Sequence, residues 1–314
     1  MGIFKDNHWA LILGGSSGFG LASAKKLSEQ GMHVCVVHRD RRGAMNKINQ
    51  EFAVIEANCN QNKTQFVSFN TDALSDKGMQ TVINELQTAM GSDGRLRLLL
   101  HSIAFGNLKP IAVVQEQPNS TVAALAAKLG IDESKVNQSV SELIHENHDE
   151  LFPLEVPQYS EALIDDEDMS RTIFSMGTSL LSWTQKLAEH GLFAEDARVL
   201  GLTSEGNQIA WRGYAAVSAA KVALESVSRS IAVEFAPQGI RSNIIQAGVT
   251  DTKALQAIPG SGRMKSVAKL KNPFKRLTTP EDVADVVSLL CRDEAQWING
   301  ALIRVDGGEQ IASF

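Results

Sequence analysis

The sequence predicts an α/β fold in which one doubly wound, parallel sheet of seven strands carries a helical insertion. Short apolar runs of strand length alternate with longer amphipathic stretches of helical length through most of the chain. A glycine-rich loop joins the first apolar run directly to the first helical stretch. The alternation stops over about 107–168, so we expect a single domain, 1–314, that contains this insertion.

Composition narrows the class of protein. The 314 residues carry a formal net charge of −6 and are 43% hydrophobic, which suits one large domain with a sizeable core. The mild acidity argues against a nucleic-acid partner. The sequence has no run of about 18 apolar residues and no signal-peptide pattern, so we expect no membrane span and a cytoplasmic protein. Cys35, Cys59 and Cys291 lack metal-site spacing, so we expect reduced thiols and no metal site.

The first strand, Trp9–Leu13, runs into a loop of glycines and serines that opens a helix ending before Gly31. Strand, glycine loop and helix N-terminus together form the arrangement that holds a pyrophosphate. Gly14 allows the tight turn, Gly18 lets the backbone approach phosphate, and Gly20 lets the helix pack on the strand. We therefore expect a dinucleotide site here.

The residues after the second strand, His33–Val37, should meet the adenosine ribose. They are His38-Arg-Asp-Arg-Arg42, whose arginines suit a 2′-phosphate and hence NADPH. Asp40 keeps NADH open as the alternative. A third strand, Gln65–Phe69, ends at Asn70 and Thr71, where we expect the adenine to be contacted.

A fourth strand, Leu96–Leu100, ends in His101-Ser-Ile-Ala-Phe-Gly106, again at the strand end where open α/β sheets bind ligands. The insertion follows. Asn119 or Ser120 can cap a first helix that Gly130 ends and that carries Val122, Leu125, Ala126 and Leu129. A second helix carries Val136, Val140, Leu143 and Ile144 on one face. The pattern leaves two roles open: a lid or wall of a substrate tunnel, or an oligomer contact.

The second half returns to the alternation. A long helix is expected over Met169–His190, with Ser179 in its middle, and a fifth strand over Ala197–Leu202. A sixth strand, Arg241–Gln246, leads into a loop whose Gly248 and Thr252 can reach phosphate. The polar stretch 253–275 reads as mobile. Thr279 and Pro280 start a last helix, before a seventh strand over 301–305.

Tyr214 and Lys221 lie in an alanine-rich stretch, 213–225, that reads as a helix. At about 3.6 residues per turn they are about two turns apart, so both side chains project from one face, about 10 Å apart along the axis. The lysine cation favours the phenolate, so we expect it to make Tyr214 a better proton donor to a developing oxyanion. A surface lysine beside a half-buried tyrosine is the alternative.

Four stretches resemble the short-chain dehydrogenase/reductase superfamily, over nearly the whole chain outside the insertion. They are Leu13–Gly20, the helix of Tyr214 and Lys221, Arg241–Asn243 and Val305–Gly308. Most members place the tyrosine four residues before the lysine, where this chain has Val217. A tyrosine seven residues before the lysine is the mark of the enoyl-acyl carrier protein reductases, and His101–Phe105 looks like the motif of the same group.

Two features are similar to the NADPH-using branch of these enzymes. One is the compact Gly14–Gly20 loop, and the other is Ser204, which stands ten residues before Tyr214 where many enoyl reductases carry a second tyrosine. Ser179 falls where many members of the superfamily carry an active-site asparagine. The insertion matches neither branch, so it bears on the substrate more than on the chemistry.

The resemblance implies a Rossmann-fold oxidoreductase of fatty acid synthesis that reduces the trans-2 double bond of an enoyl thioester, with NADPH as cofactor and NADH as the alternative. Tyr214 would donate a hydrogen bond to the thioester oxygen, Ser204 would be a weaker partner, and Lys221 would hold the nicotinamide ribose. The residues implied in cofactor binding are Gly14, Ser16, Ser17, Gly18, Phe19, Gly20, Arg39, Asn70, Thr71, Ser102, Ile103, Ala104, Lys221, Gly248 and Thr252.

The resemblance also implies partners. The thioester can be carried on acyl carrier protein, and the family suggests a homotetramer built on the helices around 169–190 and 214–235. One rival is a reductase of the same superfamily that acts on a different carbonyl or on an enoyl-CoA. A rival of another class is a non-catalytic dinucleotide-binding sensor.

Overall fold

A computed structural model describes residues 3–113, 119–146 and 148–313. Within these residues the strands are β1 (His8–Leu13), β2 (His33–His38), β3 (Phe66–Asn70), β4 (Arg95–His101), β5 (Phe193–Thr203), β6 (Ile240–Ala247) and β7 (Leu302–Val305). They form one sheet in the order β3-β2-β1-β4-β5-β6-β7, and every neighbouring pair is parallel. The predicted doubly wound parallel sheet is confirmed.

The helices of the described residues are α1 (Gly18–Glu29), α2 (Met45–Asn62), α3 (Asp76–Met90), α4 (Ser120–Leu129), α5 (Glu133–His145), α6 (Asp166–Ile173), α7 (Ser179–Glu189), α8 (Ala215–Glu234), α9 (Lys253–Gln256), α10 (Ser261–Lys271) and α11 (Pro280–Leu290). One face of the sheet is covered by α1, α2 and α11, and the other is covered by α3, α7 and α8. Thr279 caps α11 through the predicted reciprocal capping box with Asp282.

Both faces of β1 are buried because parallel strands are covered by helices on each side. Trp9, Leu11 and Leu13 share one apolar cluster with side chains of α3 and α7. Ala10 and Ile12 share the other with side chains of α1, α2 and α11. The alternation follows from the two-residue repeat of a strand. The carboxyl end of β1 lies between β2 and β4. The strand order reverses at this point, and a ligand crevice forms there.

The long helix expected over 169–190 is present as α6 and α7, which a π-helical turn, Phe174–Thr178, joins without a break. Two local expectations were wrong. The helix of Tyr214 begins at Ala215, so Tyr214 is its N-cap residue. The stretch 253–275, expected to be mobile, contains α9 and α10. Its overall composition is polar, but Met264 and Ala268 are buried and anchor α10.

The insertion contains the predicted helical hairpin, α4 and α5, although residues 114–118 and 147 lie outside the described residues. The side chain of Asn119 caps α4, and Gly130 ends it with a φ of 66°. The hairpin has a small core of its own made of Val122, Ala126, Val136, Val140 and Ile144. Leu125 and Leu129, also carried by α4, are 37% and 59% exposed.

The insertion packs on the second half of the chain. The short 3₁₀ helix Asp149–Leu154 lies against α10, where Asp149 pairs with Lys269 at 2.7 Å. Among the described residues, every helix is too short or too polar to cross a bilayer. Nowhere in the described ranges do three or more metal-binding side chains converge.

Candidate active site

A mostly apolar cavity opens at the carboxyl ends of the central strands. Its walls include Ser102–Ala104 after β4, Thr203–Gly206 at the end of β5, and Ala247–Thr250 at the end of β6. The start of α8 contributes Tyr214 and Lys221. Parallel strands place all these loops at one edge of the sheet, so residues far apart in sequence face a common space.

Tyr214 is 8% exposed, and its ring lines this cavity. Its hydroxyl is hydrogen-bonded to the side chain of Ser204. A Cβ built on Gly206 would lie 2.5 Å from Cε1 of the Tyr214 ring, so the absence of a side chain at this position lets the ring pack closely on the turn after Ser204. The phenol is thus held in place from two sides.

The pKa of Tyr214 is raised above its usual value because burial disfavours the phenolate, and the hydrogen bond from Ser204 opposes this rise. The expectation that Lys221 lowers this pKa was wrong. Desolvation dominates over any effect of the lysine charge, since the tyrosine is almost fully buried. The phenol therefore stays protonated at neutral pH and is available as a hydrogen-bond donor.

Lys221 is 9% exposed and projects into the same cavity. Its Nζ donates a hydrogen bond to the carbonyl oxygen of Leu202 at 2.7 Å, which fixes the ammonium beside the end of β5. Burial lowers the pKa of Lys221 to about 8, and the carboxylate of Glu225 opposes this shift. The ammonium is still the predominant form at pH 7.

The glycine loop has the shape that a pyrophosphate requires. Gly14 has a φ of +83°, and a Cβ there would lie 2.4 Å from the Ser102 carbonyl oxygen. A Cβ on Gly20 would lie 2.4 Å from the Gly14 carbonyl oxygen, so only glycine allows α1 to pack this closely on the loop. Ser17, the N-cap of α1, makes no capping hydrogen bond with its side chain in the described structure, which leaves the first-turn N–H groups for an anion. The residues present fit a dinucleotide.

The adenosine end of the crevice is built from the ends of β2 and β3. Asn70 holds Asp40 through two hydrogen bonds, one to its backbone N–H at 3.1 Å and one to its carbonyl oxygen at 3.0 Å. The Arg39 guanidinium pairs with Asp72 at 3.1 Å and lies 4.8 Å from the centre of the Phe105 ring. Its side chain is 52% exposed, so an incoming phosphate can reach it.

The predicted site residues fall into two groups. Those that line the cavity are Phe19, Ser102, Ile103, Ala104, Ser204, Tyr214, Lys221, Gly248 and Thr252. Those that lie outside its lining, in the glycine loop and at the ends of β2 and β3, are Gly14, Ser16, Ser17, Gly18, Gly20, Arg39, Asn70 and Thr71. The two groups meet where a Cβ on Gly18 would lie 3.5 Å from Cγ2 of Thr252. The Thr252 hydroxyl also caps α9.

Sequence reasoning missed most of the apolar wall of the cavity. This wall includes Leu108, Met176, Trp211, Leu255, Ile258 and Met264. These side chains come from four separate segments and carry no motif. One further residue had a usable signal: Val217 lies between Tyr214 and Lys221 at helical spacing, and it lines the cavity with them.

Ser179 does not line the cavity. It is completely buried, donates to the Ser175 carbonyl oxygen at 3.1 Å, and lies 2.8 Å from Nε2 of His101. Burial and the nearby charge of Lys221 lower the pKa of His101 to about 3, so this imidazole is neutral. The pair joins α7 to β4 beneath the site, a role different from that of an active-site asparagine.

Two family models match the chain. A model described as "short chain dehydrogenase" matches residues 8–128, and one described as "Enoyl-(Acyl carrier protein) reductase" matches residues 157–310. A probable 2,4-dienoyl-CoA reductase of Bacillus subtilis is 28% identical over 311 residues, which is 97% of each chain. A 1-cyclohexenylcarbonyl-CoA reductase of Streptomyces collinus is 34% identical over 131 residues, or 41% of this chain and 45% of that one.

Solved structures share the fold. The NADH-dependent enoyl-[acyl-carrier-protein] reductase of Aquifex aeolicus superposes with a TM-score of 0.70 at 21% identity, over 100% of both chains. The 3-ketoacyl-(acyl-carrier-protein) reductase of Brucella melitensis, solved with NADH, gives a TM-score of 0.65 at 21% identity, over 97% of this chain and 98% of that one. At these identities the likeness concerns the fold alone.

Proposed function

Because the chain belongs to the short-chain dehydrogenase/reductase superfamily and resembles its enoyl reductase type, we propose that it reduces the trans-2 double bond of an enoyl thioester with NADPH. The observation that carries this proposal is the meeting of Tyr214, Ser204 and Lys221 in one mostly apolar cavity. The phenol is hydrogen-bonded to Ser204, and the ammonium is anchored on the Leu202 carbonyl. The apolar wall suits an acyl chain. The hydroxyl of Tyr214 and the ammonium of Lys221 would then lie near the thioester carbonyl of that chain.

Tyr214 donates a hydrogen bond to the thioester oxygen, where negative charge develops as the double bond is reduced. A donor placed beforehand for a developing oxyanion is worth about 3 kcal/mol. Ser204 bonds the phenol hydroxyl and so orients its proton. Because Tyr214 is buried and protonated, it can donate without first taking up a proton.

Lys221 would hold the ribose of the bound cofactor and add positive potential near the oxyanion. The reduced nicotinamide would supply the hydride. Ser102, Ile103 and Ala104 would bind the nicotinamide half of the cofactor, while the glycine loop and Thr252 would hold the pyrophosphate. The apolar wall excludes water, which strengthens these electrostatic interactions.

NADPH, rather than NADH, is proposed because Arg39 presents an accessible guanidinium after β2, already fixed between Asp72 and Phe105. Replacing Arg39 with Gln is expected to raise KM for NADPH about 10- to 100-fold, since a hydrogen bond to a charged group is worth about 1.5–3 kcal/mol. KM for NADH should stay within about twofold, because NADH lacks the 2′-phosphate that Arg39 would bind. Steady-state kinetics with both cofactors measure the two effects, and Lys63→Gln, at an exposed position outside the crevice, is the control.

The insertion is proposed to support the wall of the substrate cavity. Leu255, Ile258 and Met264 line the cavity, and the insertion packs against α10, the helix that carries Met264. The Glu155 carboxylate accepts a hydrogen bond from the Arg263 backbone N–H, in the first turn of α10. A carboxylate at a helix N-terminus stabilises the helix through its free N–H groups and its dipole.

Glu155→Ala is therefore expected to loosen α10 by about 0.5–2 kcal/mol, the usual value of a helix cap. Hydrogen exchange should accelerate over 261–271, and KM for the thioester should rise more than KM for NADPH. Glu150→Ala is the control, since its side chain lies in the 3₁₀ helix Asp149–Leu154, just before Glu155, and is 73% exposed. Unchanged exchange in α10 would contradict this support role.

A second candidate is reduction of a 2,4-dienoyl-CoA, favoured by the Bacillus subtilis relative that aligns over 97% of the chain. The two are separated by following the loss of NADPH absorbance with crotonyl-CoA, a trans-2-enoyl-acyl carrier protein, a 2,4-dienoyl-CoA and a simple ketone. The enoyl thioesters should give the highest kcat/KM. A preference for the ketone, or cofactor binding without any oxidation, would refute the proposal.

We propose that the enzyme serves fatty acid synthesis in the cytoplasm as a homotetramer, with the thioester carried on acyl carrier protein. Light scattering on the purified protein measures the assembly. The ratio of kcat/KM for the carrier-bound thioester to that for the CoA thioester measures the preferred carrier.

A further inference from the structure

Glu225 lies one turn after Lys221 on α8, and the proposed reaction does not use it. Its Oε1 accepts two hydrogen bonds from the end of β5. One comes from the Thr203 hydroxyl at 2.7 Å, and the other comes from the Asn207 side-chain amide at 2.5 Å. Thr203 precedes Ser204 and Asn207 follows Gly206 in the chain. One carboxylate oxygen therefore links the two ends of the turn that contains Ser204 and Gly206.

This turn is the part of the cavity that contacts the phenol. Ser204 is bonded to the Tyr214 hydroxyl, and Gly206 packs against the Tyr214 ring. Thr203 is 3% exposed, so a lost hydrogen bond there cannot be replaced readily by water. A shift of the turn would move Ser204 and Tyr214 together.

The same carboxylate faces Lys221. Burial lowers the pKa of the lysine, and Glu225 is the charge that opposes this shift. The other titratable group that interacts with Lys221 is His101 on β4, which is neutral because its pKa is lowered to about 3. Glu225 is thus the anion whose charge favours the ammonium form of Lys221.

We propose that Glu225 is a positioning residue for the reduction: it fixes the turn that holds Ser204 against Tyr214, and it keeps Lys221 in its ammonium form. The inference rests on the proposed function, since both groups act in that site. Glu225 thus has two separable tasks. Its hydrogen bonds hold the geometry of the turn, and its negative charge stabilises the ammonium form of Lys221.

Glu225→Ala removes both tasks. We expect kcat for a trans-2-enoyl thioester to fall on the order of 100-fold, as for a displacement of about 1 Å in a catalytic group, with little change in KM for the thioester. Stopped assays of NADPH oxidation across pH 6 to 10 give kcat and KM together. Circular dichroism and thermal melting establish that the variant is folded.

Glu225→Gln separates the tasks, because its amide oxygen can still accept from Thr203 and Asn207 but carries no charge. We expect a kcat within about threefold of wild type at pH 6 to 7. Removing a nearby anion disfavours the ammonium, so the loss of activity at alkaline pH should begin at lower pH than in wild type. The pH dependence of NADPH affinity, read by protein fluorescence, should shift the same way without requiring turnover.

Glu234→Gln is the matched control, since it removes one exposed carboxylate from the last turn of the same helix. Wild-type kcat in Glu225→Ala overturns the positioning role. An unmoved alkaline limb and unmoved cofactor affinity profile in Glu225→Gln overturn the charge role. If wild type binds NADPH but reduces none of the thioesters, the proposed function fails. The fluorescence profiles still decide whether Glu225 sets the charge of Lys221.

Discussion

Replacing Tyr214 with Phe is expected to lower kcat for a trans-2-enoyl thioester by about 10²–10³-fold, the usual cost of losing one donor to an oxyanion. The phenylalanine ring fits the same space against Gly206, so the fold and the cavity should be kept. The affinity for NADPH should change by less than about threefold, because the phenol bonds the substrate rather than the cofactor. Steady-state kinetics and a fluorescence titration with NADPH measure the two quantities.

The chain contains one other tyrosine, which gives a matched control. Tyr159 lies in the insertion, where its ring is 5.7 Å from the Arg212 guanidinium and outside the cavity lining. Tyr159→Phe removes the same hydroxyl without touching the site and should retain wild-type kcat. Near-normal turnover in Tyr214→Phe would show that another group stabilises the oxyanion and would refute the proposed mechanism.

The sequence predicted the parallel sheet because its signals are local. Apolar strand runs, the Gly14–Gly20 loop and the capping residues of α11 each determine structure within a few residues of themselves. The spacing of Tyr214 and Lys221 also predicted that both face one cleft, although Tyr214 proved to be the N-cap of α8 rather than part of its first turn. The N-cap residue lies only one position before the first helical residue. Its side chain therefore still faces the same side as Lys221, although the predicted helix start was wrong.

The features that the sequence did not predict depend on contacts between distant segments. The pKa of Tyr214 is set by how much protein surrounds it, which spacing alone does not reveal. The 253–275 stretch reads as polar and mobile, yet the Glu155 carboxylate, about a hundred residues earlier in the chain, caps its main helix. Ser179 stands where the family resemblance suggests an active-site asparagine, but its hydroxyl lies 2.8 Å from Nε2 of His101, outside the cavity lining.

The insertion combines local features that the sequence predicts with long-range contacts that it does not. Its helices were predictable from periodicity and capping, but the packing of α5 against α10, which carries Met264, was not. Of the two roles that the sequence left open, the contacts of the single chain favour the wall of the substrate cavity. Since the insertion packs near the wall without supplying Tyr214, Ser204 or Lys221, we propose that it influences which substrate enters and leaves the chemistry to the edge of the sheet.

Replacing Lys221 with Ala is expected to impair both binding and turnover. The ammonium would give charge-assisted hydrogen bonds to the ribose, worth about 1.5–3 kcal/mol, so the Kd for NADPH should rise about 10- to 100-fold. Loss of its positive potential beside the oxyanion should lower kcat by a further factor on the order of 10². Fluorescence titration with NADPH and kinetics at saturating cofactor separate the two losses.

The pH profile identifies the charge itself. Burial lowers the pKa of Lys221 to about 8, so the ammonium is present below this pH and is lost as pH rises through it. Wild-type kcat should fall on this alkaline limb, while Lys221→Met, which fills the same space without a charge, should be slow and lack the limb. Lys128→Met, at an exposed position in the last turn of α4, should keep the wild-type profile. An alkaline limb that persists in Lys221→Met would mean that another group titrates there, because no charge would then remain at position 221 to lose.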